Sequence, residues 1–507
     1  MSLLSNQLNL CLQLIKLLYR EGISVWNSRL SMGRASLGGY GETFDRCSCL
    51  EDERGKGMCI ENGITKNRGM GFFVLLNLFL FAFVSSAYSQ WAKTYGGGVF
   101  SDGASSIQQT TDNGYIVAGS TMSFGAGSFD AWVLKLDNSG NVQWQKAYGG
   151  TSLDSAHSVQ QTTDGGYIVA GETVGDAWIL KLGSLGDIQW QKTYGGTRID
   201  YIQSVQQTTD AGYVLAGWTE SFGAGAWDFW VLKLDSLGKV EWQKTYGGTE
   251  SDQAQTIQQT RDGGYIVVGN TWSGVFAPVD TDIWVLKLDS SGGIEWQKKY
   301  KGLEHEQAYS IRQTTGGYIM AGKTARGLPG SSMVWILKLD IAGVVEWEKA
   351  YDGTDTDDAY SIQRTKDGGY ILAGTTRSFG AGSTDIWILK LDSFGNIKWQ
   401  KTYGGTRDEY SQSVQQTKDG GYIVAGHTNS FGAGGGDIWV LKLDPLGDIP
   451  RCNWVRKSDA TAISTPATVV KTTIEGMKTS VKGKDSFASV TETDGRVGIV
   501  CAAAGSL

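Results

Sequence analysis

The stretch Trp399-Gln-Lys-Thr-Tyr-Gly-Gly405, followed in the same unit by Asp419-Gly-Gly-Tyr-Ile-Val-Ala-Gly426, decides the fold because the chain repeats it. Alignment on Trp-x-Lys-x-Tyr gives starts at Trp91, Trp144, Trp190, Trp242, Trp296, Trp347 and Trp399, seven units of 46 to 54 residues. A period of that length belongs to solenoids and propellers, and strand-like content without helical periodicity selects an all-β, seven-bladed β-propeller.

Each unit reads as four antiparallel strands. In the last unit, residues 413–417 form the first strand, and Asp419-Gly420-Gly421 supplies a tight turn, where Gly accepts positive φ without a Cβ penalty. Residues 422–426 form the second strand, and a loop over 430–434 leads to the third at 438–444. In the six earlier units a turn such as 392–395 leads to a fourth, such as 397–403. The seventh unit meets Pro450 and Arg451 where its fourth strand is due, while the chain opens with an orphan fourth strand at 91–95. That orphan is expected to complete the last blade and so remove two exposed sheet edges.

Fourteen of the 19 tryptophans stand at two repeat positions, the seven motif starts and Trp132, Trp178, Trp230, Trp284, Trp335, Trp387 and Trp439. They alternate as buried positions do, and burying a large apolar side chain is worth about 1.5 to 3 kcal/mol, so both series read as blade core rather than a sugar-stacking platform. Trp218, Trp227 and Trp272 break the repeat beside second-to-third-strand loops and are the better candidates for ligand contact.

Around the ring, composition changes. Lys66 and Arg68 precede an apolar run over 72–84, and Ser85, Ser86 and Ala87 follow it. This is the order of a signal peptide, expected at 70–89, and the run is shorter than the about 20 residues a membrane span needs. Residues 1–69 are then expected to be a leader from a start placed too far upstream or a disordered one, the competing reading being a genuine leader with a short apolar helix over 8–19; 90–449 is the propeller, and 450–507 a Ser/Thr/Val-rich tail, low-complexity or weakly β, suited to a stalk or surface attachment. The mature chain is expected outside the cytoplasm, whether secreted, periplasmic or at the cell surface, with no transmembrane span. Once the leader is removed, Cys452 and Cys501 are the two remaining cysteines, and an oxidising compartment is expected to join them.

The whole chain carries a net charge of −7. Residues 1–89 hold 9 Lys+Arg and 7 Asp+Glu, which leaves 36 basic against 45 acidic residues, or −9, in the remainder. Nucleic acid is therefore not the partner of this surface; a protein or carbohydrate ligand is the expectation.

The units resemble the short propeller repeats of secreted bacterial and archaeal proteins of unknown function over residues 91–449. More faintly, residues 391–399, with LDxxGxIxW spacing, resemble quinoprotein repeats, and the GGYIVAG strand resembles kelch repeats. Proteins with such repeats are sometimes labelled endoglucanases, and propellers host many functions, so no activity transfers without its site.

The TxDGGY and LDxxGN turns fall on one face of the ring, and the more variable loops on the other, where a binding site is expected. That face carries an acid in every unit just before the innermost strand: Asp102, Asp154, Asp200, Asp252, Glu306, Asp357 and Glu409. These could attract a cation or basic ligand, or each could cap its own turn by accepting backbone N–H groups. A second column, Asp130, Asp176, Asp228, Asp282, Asp385 and Asp437, starts the third strands. No cofactor is implied. Calcium would be sought first at Asp352, Asp355, Asp357 and Asp358, which lack EF-hand spacing. His157, His305 and His427 stand at non-equivalent positions and no GxSxG occurs, so no nucleophilic triad and no catalytic residue is assigned. The expected function is a non-enzymatic binding or structural scaffold. The alternative is a carbohydrate-active, endoglucanase-like or quinoprotein-like enzyme using the irregular face, for which only geometry would identify a carboxylate pair.

Overall fold

The computed structural model describes residues 90–458 apart from 274–279, 303, 326–329 and 453, together with strand segments at 30–32, 47–51, 57–61, 461–463, 468–471, 477–478, 484–485, 489–492 and 496–502. The apolar run 72–84 and the small residues after it lie outside the described residues, as do parts of the irregular loops of blades four and five. The chain divides into two compact units, Met1–Ala87 and Tyr88–Leu507. In the first, Leu30–Met32, Cys47–Glu51 and Gly57–Glu61 form a three-stranded antiparallel sheet. No helix among the described residues is long and apolar enough to cross a membrane.

The second unit is a ring of seven blades. Blade one comprises Asp102–Gln109, Tyr115–Thr121, Asp130–Leu136 and Val142–Gly149, each antiparallel to the next. Blades two to six repeat this order. Blade seven takes Glu409–Gln416, Tyr422–Thr428 and Asp437–Leu443 from the end of the repeats and Trp91–Gly96 from their beginning, with Trp439 opposite Thr94 and Lys442 opposite Trp91. The innermost strands begin earlier than the pattern suggests: in six blades the acid is the first residue, as where Asp102 pairs with Thr121 and Glu409 with Thr428, and in blade five Glu306 immediately precedes the strand Gln307–Thr314.

The two tryptophan series differ in environment. Those of the third strand are at most 1% exposed. Of the fourth-strand series only Trp91 is fully buried; Trp144, Trp190, Trp242, Trp296, Trp347 and Trp399 are half-buried. These lie edge-on to a tyrosine of the following blade, as Trp144 does to Tyr167 at 5.8 Å. They also cover that blade's LDxxG-type turn, where a Cβ at Gly186 (φ +76°) would come 2.9 Å from the Trp144 ring. The motif tyrosine completes the lock. In all seven blades its buried hydroxyl donates to the carbonyl of the turn glycine in the next blade, at 2.6 to 2.8 Å, and Tyr95 to Gly140 carries the series across the closure.

The third-strand lysine is buried too, with Lys442 1% exposed. Its ammonium donates to the carbonyl of the next leucine and pairs with the aspartate of the TxDGG turn, as in Lys181–Asp164 at 2.8 Å. Burial opposes ionisation of Asp164, but the hydrogen bonds from Lys181 and Thr162 hold it at about 2. Blade five lacks that aspartate, and Lys338 turns to Glu346 instead.

The C-terminal segment does not stand apart as a stalk. It runs backwards around the rim and adds a fifth strand to the outer edge of every blade: Val455–Lys457 on blade six, Thr461–Ile463 on five, Thr468–Lys471 on four, Met477–Lys478 on three, Lys484–Asp485 on two, Ser489–Glu492 on one and Arg496–Ala502 on seven. Its start is anchored by Trp454, whose ring packs 5.1 Å from Trp439 and 5.8 Å from Phe431. Such a belt satisfies the backbone groups of seven edge strands, a need the sequence pattern does not display because it is met by main chain.

Candidate functional site

The innermost strands surround a central cavity of about 390 Å³. Their axis-facing N–H groups have no further strand to pair with, so side chains supply the acceptors. Val159 N–H donates to Ser106 of the preceding blade and Gln161 N–H to Gln108 Oε1, at 3.3 and 2.6 Å, and the scheme recurs around the ring.

Near the irregular face each innermost strand carries a β-bulge against the second strand, as between Ala104 and Ser106. The extra residue is Ser105, His157, Gln203, Gln255, Tyr309, Tyr360 or Gln412 according to blade. Bulges aim a side chain out of the ladder and are common beside functional sites. Directly across from the strand residue before the bulge pair lies one second-strand position. It is flanked in every blade by Gly and Thr, yet it holds seven different residues: Ser120, Glu172, Trp218, Asn270, Lys323, Thr375 and His427. Their cross-strand partners are Gly103, Ser155, Tyr201, Gln253, Gln307, Asp358 and Tyr410.

These side chains form an asymmetric ring on an otherwise repetitive scaffold. Tyr201 stacks on Trp218 at 4.8 Å, and Tyr410 on His427 at 4.8 Å. Tyr309 and Tyr360 meet across blades five and six at 5.0 Å. The Tyr360 hydroxyl donates to Asp358, which also accepts from Ser332 and faces Lys323 at 3.4 Å. His157 lies 3.7 Å from Glu172. Burial presses the His427 pKa down against the opposing charge of Asp408, and burial with the Glu172 and Glu220 charges raises Tyr201.

Of the three tryptophans singled out in the sequence, Trp218 belongs to this ring. Trp227 and Trp272 lie further out, 6.4 Å apart and edge-to-face, with Trp227 Nε1 donating to Glu220 at 2.6 Å. The seven acids lie deeper. All are at most 2% exposed. Asp200, for example, accepts from the Thr219 and Ser221 hydroxyls and from Gly196 N–H. Glu409 accepts from Thr428 and from the N–H groups of Gly405 and Ser430. Their bonds are those of carboxylates capping turns.

The two acidic columns converge, which separate reading of each column misses. The acid opening a third strand and the acid opening the next blade's first strand meet at the glycine ending the fourth strand. A Cβ on Gly149 would lie 2.2 Å from Asp130 Oδ1 and 2.7 Å from Asp154 Oδ2, and Gly195, Gly247 and Gly404 stand likewise between acids. Burial, then the neighbouring carboxylate, raises Asp228 beside Asp252, Asp385 beside Glu409 and Asp437 beside Asp102 to about 6. Burial raises Asp357 to about 6 as well.

These four carboxyls bind protons more tightly folded than unfolded, where the value is about 3.9. Their contribution to stability is therefore complete below about pH 4 and lost as pH rises through about 6. Tm at pH 5 should exceed Tm at pH 7.5 by about 5 °C or more; a flat profile, or one rising toward pH 7.5, would contradict the raised carboxyls of the three acid pairs and of Asp357.

Among the described residues one trio of acids, Asp280, Asp282 and Glu306, brings ligand oxygens within 4.8 Å of one another. Lys301 already sits there, 3.6 Å from Asp280 and 2.9 Å from Asp282. The acids of blade six do not gather: Asp357 caps its loop through Thr376 and Ser378, while Asp358 faces the channel mouth with Ser332 and Lys323.

No known family and no curated protein matches the sequence. Among solved structures, similarity is found to Sqt1 from Chaetomium thermophilum, with 11% identity over 69% of this chain and 99% of that chain at a TM-score of 0.38. The V. cholerae biofilm matrix protein Bap1 gives 9% identity over 73% and 93% at 0.29.

Proposed function

We propose that this chain is an exported, non-enzymatic binding propeller whose ligand docks at the channel mouth on the irregular face, and that the ligand is a carbohydrate. One observation carries the reading. The repeats keep Gly and Thr on either side of a position that differs in all seven blades, and scaffold packing alone gives no reason for such divergence. Tyr201 with Trp218, Tyr410 with His427, and the half-buried Lys323 supply the aromatic faces and a hydrogen-bonding group of the kind sugar rings require, while Glu172 and Asn270 are buried, Asn270 accepting from Ala308 N–H. The buried acids hold the loops that frame the mouth.

Export is supported by the 70–89 pattern. N-terminal sequencing of protein recovered outside the cytoplasm is expected to begin at Tyr88 or Gln90, and a mature protein retaining residues before Met70 would contradict it. For the ligand, the full chain applied to an array of defined glycans should retain a subset without cleaving it. Retention of none, or release of reducing ends from those retained, would count against a carbohydrate-binding role.

A further inference from the structure

The channel lining carries an irregularity of its own, away from the mouth. At the position where six blades place Gln108, Gln160, Gln206, Gln258, Gln363 and Gln415, blade five has Arg312. The next lining position, glutamine in six blades, is Arg364 in blade six. These two are the only charged residues among those lining the cavity.

The glutamines have a structural task that arginine cannot do. Each accepts the N–H of the following blade, at Gln109, Gln161, Gln207, Gln259, Gln313 and Gln416, with distances of 2.6 to 2.7 Å. A guanidinium has donors only, so the link at Arg364 is absent among the described residues. Arg312 therefore breaks the ring and also brings a cation into a half-buried channel. Among the described residues no carboxylate lies within ion-pair distance of it, and its side chain makes one hydrogen bond, to its own neighbour's carbonyl, Ile311 O, at 2.9 Å. Desolvation pushes its pKa down, with no acid nearby to offset that. A charge that costs one link of the ring and meets no carboxylate among the described residues calls for an external partner of opposite sign. Planar donors in a fixed fork fit carboxylate, phosphate or sulfate oxygens.

We propose that the channel binds a small oxyanion, held by Arg312, with Arg364 beside it and the serine and glutamine side chains of the lining around it. The acidic net charge of the chain means that this selectivity is local to the channel. The anion could be free or the acidic group of a sugar, and the probes separate these sources: inorganic phosphate, sulfate, acetate and glucuronate, each titrated at constant ionic strength against chloride and read as a shift in Tm and by calorimetry.

Arg312→Gln restores the residue of the other blades and its acceptor, so it should fold at least as stably as the parent. The parent is expected to bind at least one probe, and R312Q to bind it at least tenfold more weakly with unchanged or higher Tm in chloride. Response to phosphate or sulfate identifies a free anion, and response to glucuronate alone identifies an acidic sugar. Equal binding by parent and R312Q, or no binding of any of the four probes by the parent, would overturn the proposal. Trp218→Ala should leave this response intact, which separates it from the fate of the mouth as a carbohydrate site.

Discussion

Deletion of residues 88–96 is expected to abolish the monomeric, cooperatively melting ring. The strand Trp91–Gly96 is buried along its length, with Trp91 fully enclosed and Tyr95 1% exposed. It pairs on one edge with the third strand of blade seven and on the other with Arg496–Ala502. It also joins blade seven to blade one, because the Tyr95 hydroxyl donates to Gly140 at 2.7 Å and the Trp91 ring underlies the same turn. Burial of one tryptophan and one tyrosine is worth about 2 to 3 kcal/mol each, and the ladder bonds add about 1 kcal/mol apiece. That sum is comparable to the about 5 to 15 kcal/mol that holds a whole domain. Trp91→Ala, which keeps the strand, should cost about 3 to 5 kcal/mol in chemical denaturation. An unchanged Tm after the deletion would show that the ring closes in some other way.

Truncation after Pro450 should leave a ring that folds but self-associates. The removed belt covers the outer edge of every blade, and seven open edges are seven templates for pairing between molecules. The expected result is concentration-dependent growth in mass by light scattering, with near-ultraviolet circular dichroism retained. A truncated protein that stays monomeric at high concentration would contradict the belt. Cys452 bears on the same point, since it is disulfide-bonded and packs against the core cluster that contains Ala92. The register places Cys501 opposite Ala92, so we propose that Cys452 and Cys501 are joined and that their bridge fastens the belt where it begins and ends. The bond would close a loop of 48 residues, removing about 4 kcal/mol of unfolded-state entropy in the chain-entropy view. Thiol titration of the denatured, unreduced mature protein should find none; two free thiols per chain would contradict the bridge.

The ring was legible in the sequence because its causes are local and repeated seven times. Turn glycines, alternating apolar residues and the Trp-x-Lys-x-Tyr motif each name a position in the blade, and Pro450 with the orphan strand at Trp91 marks the seam. The expectation that both tryptophan series are enclosed held fully for the third strand. It held in part for the fourth, whose rings lie against the next blade's turn with one side open. The belt was hidden because segments of two to seven residues that contribute main-chain bonds leave no hydrophobic pattern. The pairing of the acid columns was hidden for a different reason: Asp130 and Asp154 belong to different blades and meet only through the fold. The mouth ring left a signal that loop lengths obscured. Trp218 stood out as an odd tryptophan, but Glu172, Lys323 and His427 occupy the same position and become visible only when variation is read column by column between the invariant Gly and Thr.

The most direct test sets the two ends of the channel against each other. Trp218→Ala and His427→Ala alter the mouth, whereas Phe394→Ala removes a 70% exposed ring from a turn on the opposite face. With the glycan retained most strongly on the array as probe, isothermal titration should show affinity falling at least about tenfold, or about 1.4 kcal/mol, in each mouth variant and unchanged in F394A. Affinity that survives both mouth substitutions, or that falls only in F394A, would contradict binding at the diversified mouth.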